Sequence, residues 1–198
     1  AGQIASVSPP ATGSTVDYSY DPRAMLSEVD DPDMGELKYS FNALGELINY
    51  ETANGDQDSI IYDHTGRDSI RVRENGNTYY SYYQSGAGKG RTSQVSSSAG
   101  YRKFTYDIYG NTLRECDSIS VQESFPFNYQ YDSYGRLSGI TYPGGFEVTY
   151  HYNSNGYLEY IKRGSDNSVI WQCNSINEFG SLTQYSMAGG NILVNKTY

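Results

Sequence analysis

The chain has 198 residues, with 23 Asp and Glu against 14 Lys and Arg for a formal net charge of −9, and it uses 22 tyrosines where aliphatic residues would ordinarily fill a core. Scattered cations on an acidic chain argue against nucleic acid, since phosphate contacts need clustered Lys and Arg. No apolar run reaches the roughly 20 residues of a bilayer-crossing helix. Cys116 and Cys173, in no Cys-x-x-Cys pattern, suggest neither a disulfide framework nor a zinc site and are expected as free thiols.

Residues 1–15 (AGQIASVSPPATGST) are small, polar and proline-bearing, the composition of a flexible, poorly ordered lead or of a strand parted from its neighbour. From there a single unit recurs: an aromatic, Asp or Asn, two variable residues and Gly. In chain order it is written by Tyr20-Asp21, with Ala24 in place of glycine, then Phe41-Asn42 with Gly45, and Tyr62-Asp63 with Gly66. A stretched copy runs from Tyr82-Tyr83-Gln84 through extra glycines to Gly90-Arg91. Four more follow at Tyr106-Asp107, Tyr131-Asp132, Tyr152-Asn153 and Ile176-Asn177, with Gly110, Gly135, Gly156 and Gly180. Eight copies spaced by 20 to 25 residues constitute a repeat array, with no point at which to divide it, so residues 16–198 are read as one array.

Ahead of each Asp or Asn, apolar and polar residues alternate: Phe125, Phe127, Tyr129, Tyr131 in one copy, and Phe146, Val148, Tyr150, Tyr152 in another. Period two means strand. The opposite face receives Asn128, Gln130, Glu147, Thr149 and His151, read as solvent residues. Asp or Asn then suits the first turn position, because its side chain accepts from backbone N–H groups two residues on, and glycine three later tolerates positive φ; such a loop often closes with a bulge. A second strand is expected to begin at Leu26, Leu47, Leu113, Leu137, Leu158 or Leu182, and segments such as Asn54-Gly55-Asp56 turn the chain back. The expected fold is all-β: tandem antiparallel β-hairpins, about 15 strands in sequential pairing, forming one long sheet that right-handed twist would curl.

The pieces YDHTGR, YDIYGNT, YDSYGRL and the stretched YYQSGAGKGRTSQV carry a resemblance to the YD-repeat, or Rhs-repeat, family over nearly all of residues 16–198. The resemblance implies a hairpin array that in long members spirals into a hollow shell. Such shells enclose a C-terminal toxin or effector domain in bacterial Rhs and Tc-type proteins, and serve cell adhesion in animal teneurins. It further implies a secreted or cell-surface bacterial setting, with other repeats of the full-length protein as partners. The chain departs from the family in being too short to close a shell and in lacking the terminal core segment with Asp-Pro-rich motifs where self-cleavage occurs. It opens and closes mid-pattern, as an excised piece would. No catalytic position is inherited.

The residues offer little chemistry of their own. His64 lies in a turn and His151 on a strand, neither near a nucleophile motif. Glu28, Asp30, Asp31, Asp33 and Glu36 crowd one connection without the spacing of a calcium loop. Asn replaces the repeat Asp at Asn42, Asn153 and Asn177, and Asn makes the same turn but cannot be a general acid, so the aspartates need no catalytic explanation. The arginines after the glycine (Arg67, Arg91, Arg136) give way to Glu46, Asn111, Tyr157 and Ser181, which argues against a shared role for that position. No enzyme, cofactor or metal is expected. The leading reading is a structural segment, shell wall or scaffold. The alternative is a carbohydrate or cell-wall module that stacks sugars on Tyr79, Tyr80, Tyr82 and Tyr83, the densest aromatic cluster.

Overall fold

The computed structural model describes residues 2–8, 14–119 and 123–197. Among them are 18 strands and a single three-residue 3-10 turn, Ala188–Gly190. The all-β architecture of tandem antiparallel hairpins is the one found: each strand pairs antiparallel with the next along the chain inside two compact units. The first unit comprises residues up to Ser81 with Gln94–Ala99, and the second Tyr82–Ser93 with the chain from Gly100 onward. In the first, hairpins join Val16–Tyr20 to Leu26–Asp31, Gly35–Phe41 to Leu47–Glu51, and Gln57–Tyr62 to Asp68–Arg73. In the second they join Gly100–Tyr106 to Thr112–Ser118, Ser124–Tyr131 to Leu137–Thr141, Glu147–Tyr152 to Leu158–Arg163, and Val169–Ile176 to Leu182–Met187. Of the lead, residues 1 and 9–13 lie outside the described residues; Ser6 and Val7 pair with Asp17 and Val16.

The motif turn has one geometry throughout. Asp132 N–H donates to Arg136 carbonyl at 2.9 Å and Gly135 N–H to Asp132 carbonyl at 3.0 Å, closing a three-residue loop with the glycine as bulge. The same pair of bonds recurs at Asn42, Asp63, Asp107, Asn153 and Asn177. It also recurs at the return turns headed by Thr52 and Tyr142, which carry no Asp or Asn. In the stretched copy Gly90 and Tyr83 close the loop around the inserted glycines. Gly135 has φ +76 with open space where a Cβ would stand. Gly135→Val is therefore expected to cost about 1–3 kcal/mol from backbone strain alone, measured by urea denaturation; an unchanged midpoint would remove the turn assignment. Ala24, in the glycine position of the first copy, holds φ 68 and shows the same demand.

Strand starts fall at Leu26, Leu47, Leu137, Leu158 and Leu182, whereas Leu113 comes second, after Thr112. Tyr106 pairs Thr112 as Tyr131 pairs Leu137 and Tyr152 pairs Leu158, so Thr112 takes the leucine place and Leu113 is the exposed bulge residue, the place of Ser138 and Glu159 in those copies. Burial is shallow. Among the described residues only Leu37 and Val148 are buried apolar side chains, and the tyrosines are mostly half-buried, as hairpins covering one another's rings require. The face expected to meet solvent on Glu147–Tyr152 is instead half-covered, because His151 stacks on cross-strand Tyr160 with ring centroids 4.7 Å apart and bonds Thr149 at 2.9 Å.

Candidate functional site

The turn carboxylate or amide organises its loop from within. Asp132 Oδ1 accepts from the N–H groups of Tyr134 and Arg136, both at 2.9 Å, while Oδ2 accepts from Arg136 Nε at 2.7 Å. Asp63 repeats this with Thr65 and Arg67, and Asp107 with Tyr109 and Asn111. At Asn42 the polarity is inverted: its amide donates to Glu46 Oε2 at 2.7 Å. The residue after the glycine thus grips the head of its own turn, whether it is Arg, Asn or Glu.

It also reaches forward. A Cβ placed on the glycine of the following repeat would meet Met25 at Gly45 (3.5 Å), Glu46 at Gly66 (2.8 Å), Arg91 at Gly110 (2.5 Å), Arg136 at Gly156 (3.5 Å) and Tyr157 at Gly180 (3.0 Å). The sequence reading that denied this position a shared role is corrected here. The role is steric and tolerant of residue type, so composition hides it.

The aromatic before the turn supplies the second link. Tyr62 donates its hydroxyl to the carbonyl of Leu47 at 2.6 Å, Tyr106 to Thr92 at 2.9 Å, Tyr131 to Thr112 at 2.9 Å, and Tyr152 to Leu137 at 2.8 Å. Each acceptor opens the second strand of the preceding repeat, so the phenol latches one hairpin to the one before. Each latch contributes about 1 kcal/mol. Burial pushes the phenols of Tyr62, Tyr106 and Tyr131 above their ordinary value. Sequence reasoning gave tyrosine a half-buried ring and missed the acceptor; the preference for Tyr over Phe at six of the eight motif positions was the available signal.

Acid should loosen these turns. Bonds from Thr65 and Arg67 hold the Asp63 carboxyl well below the usual range, and Asp107 and Asp132 are lowered as well. For both of these, partial burial pulls upward, while bonds from Asn111 and Arg136 respectively prevail. Folded values below those of the unfolded chain mean that the stabilisation is present above about pH 4 and is lost as pH falls through the folded values. Urea midpoints are expected to drop between about pH 4 and pH 2, and to drop less when Asp63 and Asp132 are both replaced by Asn. An equal drop in that variant would show that these carboxylates are not responsible.

Of the four tyrosines singled out for sugar stacking, Tyr79 is exposed and accepts Asn77 Nδ2 at 3.3 Å, while Tyr80 is half-buried, on the alternate face of Thr78–Tyr82. Tyr82 is half-buried; Tyr83 donates its hydroxyl to Phe104 carbonyl at 2.8 Å and meets the Tyr106 ring edge-on at 6.0 Å. Cys116 and Cys173 are half-buried thiols on separate strands, and burial pushes Cys173 up. Asp31 accepts from the N–H groups of Asp33 and Met34, and Glu36 pairs with Lys38 at 2.7 Å. Among the described residues no three His, Cys, Asp or Glu side chains converge as metal ligands.

A concavity lies on the motif-turn edge of the second unit. It is a cleft of about 750 Å³ between the turns headed by Asp107 and Asp132, lined by Tyr109, Asn111, Tyr131, Ser133 and Tyr134.

No protein-family signature and no curated protein matches the chain. Solved structures do. A chain of the TcdB2-TccC3-Cdc42 crystal structure matches with TM-score 0.80 at 14% identity, over 92% of this chain and 10% of that one. TcdB2-TccC3 matches at TM-score 0.73 with 13% identity, over 93% of this chain and 12% of that one. The Photorhabdus luminescens Tc holotoxin pore, mutation TccC3-D651A, matches at 0.63 with 15% identity, over 88% and 12%. The chain has the YD-repeat fold. The chain spans about a tenth of the length of the chains it resembles. At these identities the shared property is the fold alone.

Proposed function

We propose that this YD-repeat segment is a non-catalytic structural portion of a larger secreted or cell-surface bacterial protein, in which it serves as shell wall or scaffold. One observation carries the reading: the polar groups of the motif are consumed in holding the array. The turn carboxylates accept from their own loop, and the phenols donate to the preceding hairpin. A catalytic carboxylate pair would need oxygens facing a substrate across a bond. The partners on this reading are other repeats of the same polypeptide, with an enclosed C-terminal effector domain as cargo.

The test is electron microscopy of the natural polypeptide with a short tag inserted between Ser133 and Tyr134, in an exposed turn. Tag density in the wall of a hollow particle is expected; density on a detached arm would overturn the shell reading. The sugar-stacking alternative is addressed by glycan-array binding of the chain. Binding that disappears when Tyr79, Tyr80, Tyr82 and Tyr83 are all replaced by Ala would favour a carbohydrate module over a scaffold.

A further inference from the structure

A Cβ added to the motif glycine meets no forward-reaching side chain within 4 Å at Gly90 or at Gly135, and the second of these gaps lies between two repeats of the second unit. Arg136 passes from its own Asp132 to the next repeat, with its guanidinium 4.9 Å from the Tyr134 ring centroid and 4.3 Å from that of Tyr152. Arg91 likewise lies over Tyr106 at 5.3 Å and against Gly110. The same position between the Asp107 and Asp132 turns is taken by Asn111. Its amide reaches Asp107 Oδ2 at 2.9 Å, but it is too short to go further, and nothing lies within 4 Å of a Cβ built on Gly135. The 750 Å³ cleft occupies this gap. Three of its walls reproduce the surroundings of Arg136: Tyr109 stands where Tyr134 does, Tyr131 where Tyr152 does, and Asp107 where Asp132 does, while Tyr134 on the far wall takes the place of Asn155.

The electrostatics agree. Asp21, Asp63 and Asp132 are each ion-paired with an arginine of their own turn, at 2.9, 2.6 and 2.7 Å, whereas Asp107 is held by the neutral Asn111 amide. The Tyr109 ring is 82% exposed at the rim. A planar cation entering here would meet two ring faces and a carboxylate on a chain of net charge −9, the combination that favours guanidinium over ammonium.

We propose that the cleft between the Asp107 and Asp132 turns receives an arginine side chain presented by a partner polypeptide, which completes from outside the column of side chains that Arg91 and Arg136 fill from within. The test uses the 198-residue chain and three blocked tripeptides, acetyl-Gly-X-Gly-amide with X as arginine, lysine or the neutral isostere citrulline, with amide shifts followed by NMR. The arginine peptide is expected to shift the Tyr109, Asn111 and Gly135 amides and to bind about tenfold more tightly than the citrulline peptide. Lysine should fall between them. Asn111→Arg, which supplies the guanidinium internally, should abolish binding and raise the melting temperature, and Tyr109→Ala, which alters only an exposed ring, should weaken binding. Equal affinity for arginine and citrulline, no shift at these amides, or binding that survives Asn111→Arg would each overturn the proposal. The outcome is independent of whether the segment forms a shell wall.

Discussion

Gly100→Ala is expected to destabilise the second unit by about 3–5 kcal/mol, the sum of backbone strain and overpacking against an atom that cannot yield. Gly100 holds φ +147 at the start of Gly100–Tyr106, and a Cβ there would run into the carbonyl oxygen of Ser118, with the Ser118 carbonyl carbon at 2.9 Å and Ile119 Cα at 3.2 Å. All three are backbone atoms, so relief requires prising Gly100–Tyr106 from Thr112–Ser118, where Tyr101 pairs Ser118 and Arg102 pairs Asp117. Hydrogen exchange is the sharpest readout, because in an array each hairpin leans only on its neighbours and damage stays local. Protection should be lost across Tyr101–Phe104 and retained in Leu158–Arg163. A variant as stable as the parent would show that this backbone does not adopt the conformation described.

Tyr106→Ala ranks next, at about 2–4 kcal/mol for truncating a half-buried ring. Four contacts meet on that ring: Tyr83 edge-on at 6.0 Å, Phe104 stacked at 6.5 Å, Arg91 at 5.3 Å, and Gly88, where an added Cβ would lie 2.9 Å away. Its hydroxyl adds the latch to Thr92. Tyr106→Phe separates the two contributions, since it keeps the ring and deletes the bond; it should cost about 1 kcal/mol. Urea denaturation of both variants checks the ratio. Equal losses would assign the whole effect to the hydroxyl and refute the packing role of the ring.

The hairpin period was legible because turn chemistry is local. Asp or Asn at one position and glycine three later satisfy backbone N–H groups and φ within a few bonds, so Asp132 and Gly135 advertise their geometry in the string itself. Return turns were less legible, since Thr52 and Tyr142 head the same loop without an Asx side chain, with the turn glycines Gly55 and Gly145 as the main cue. The strand start at Leu113 was misread by one residue because this copy carries Thr112 where other copies carry leucine, so the leucine cue falls one place late, on the bulge.

The amino-acid sequence alone determined an all-β repeat of tandem hairpins with tyrosine faces and the register of its motif turns, because each of these follows from alternation and turn preference within a few residues. Tertiary structure decided what passes between repeats: which carbonyl each tyrosine latches, that Met25, Glu46, Arg91, Arg136 and Tyr157 share one forward-reaching place, and that Asn111 leaves a cleft there. Those contacts join residues about 14 to 23 positions apart, where side-chain length and strand register act together, and neither is written in any single unit.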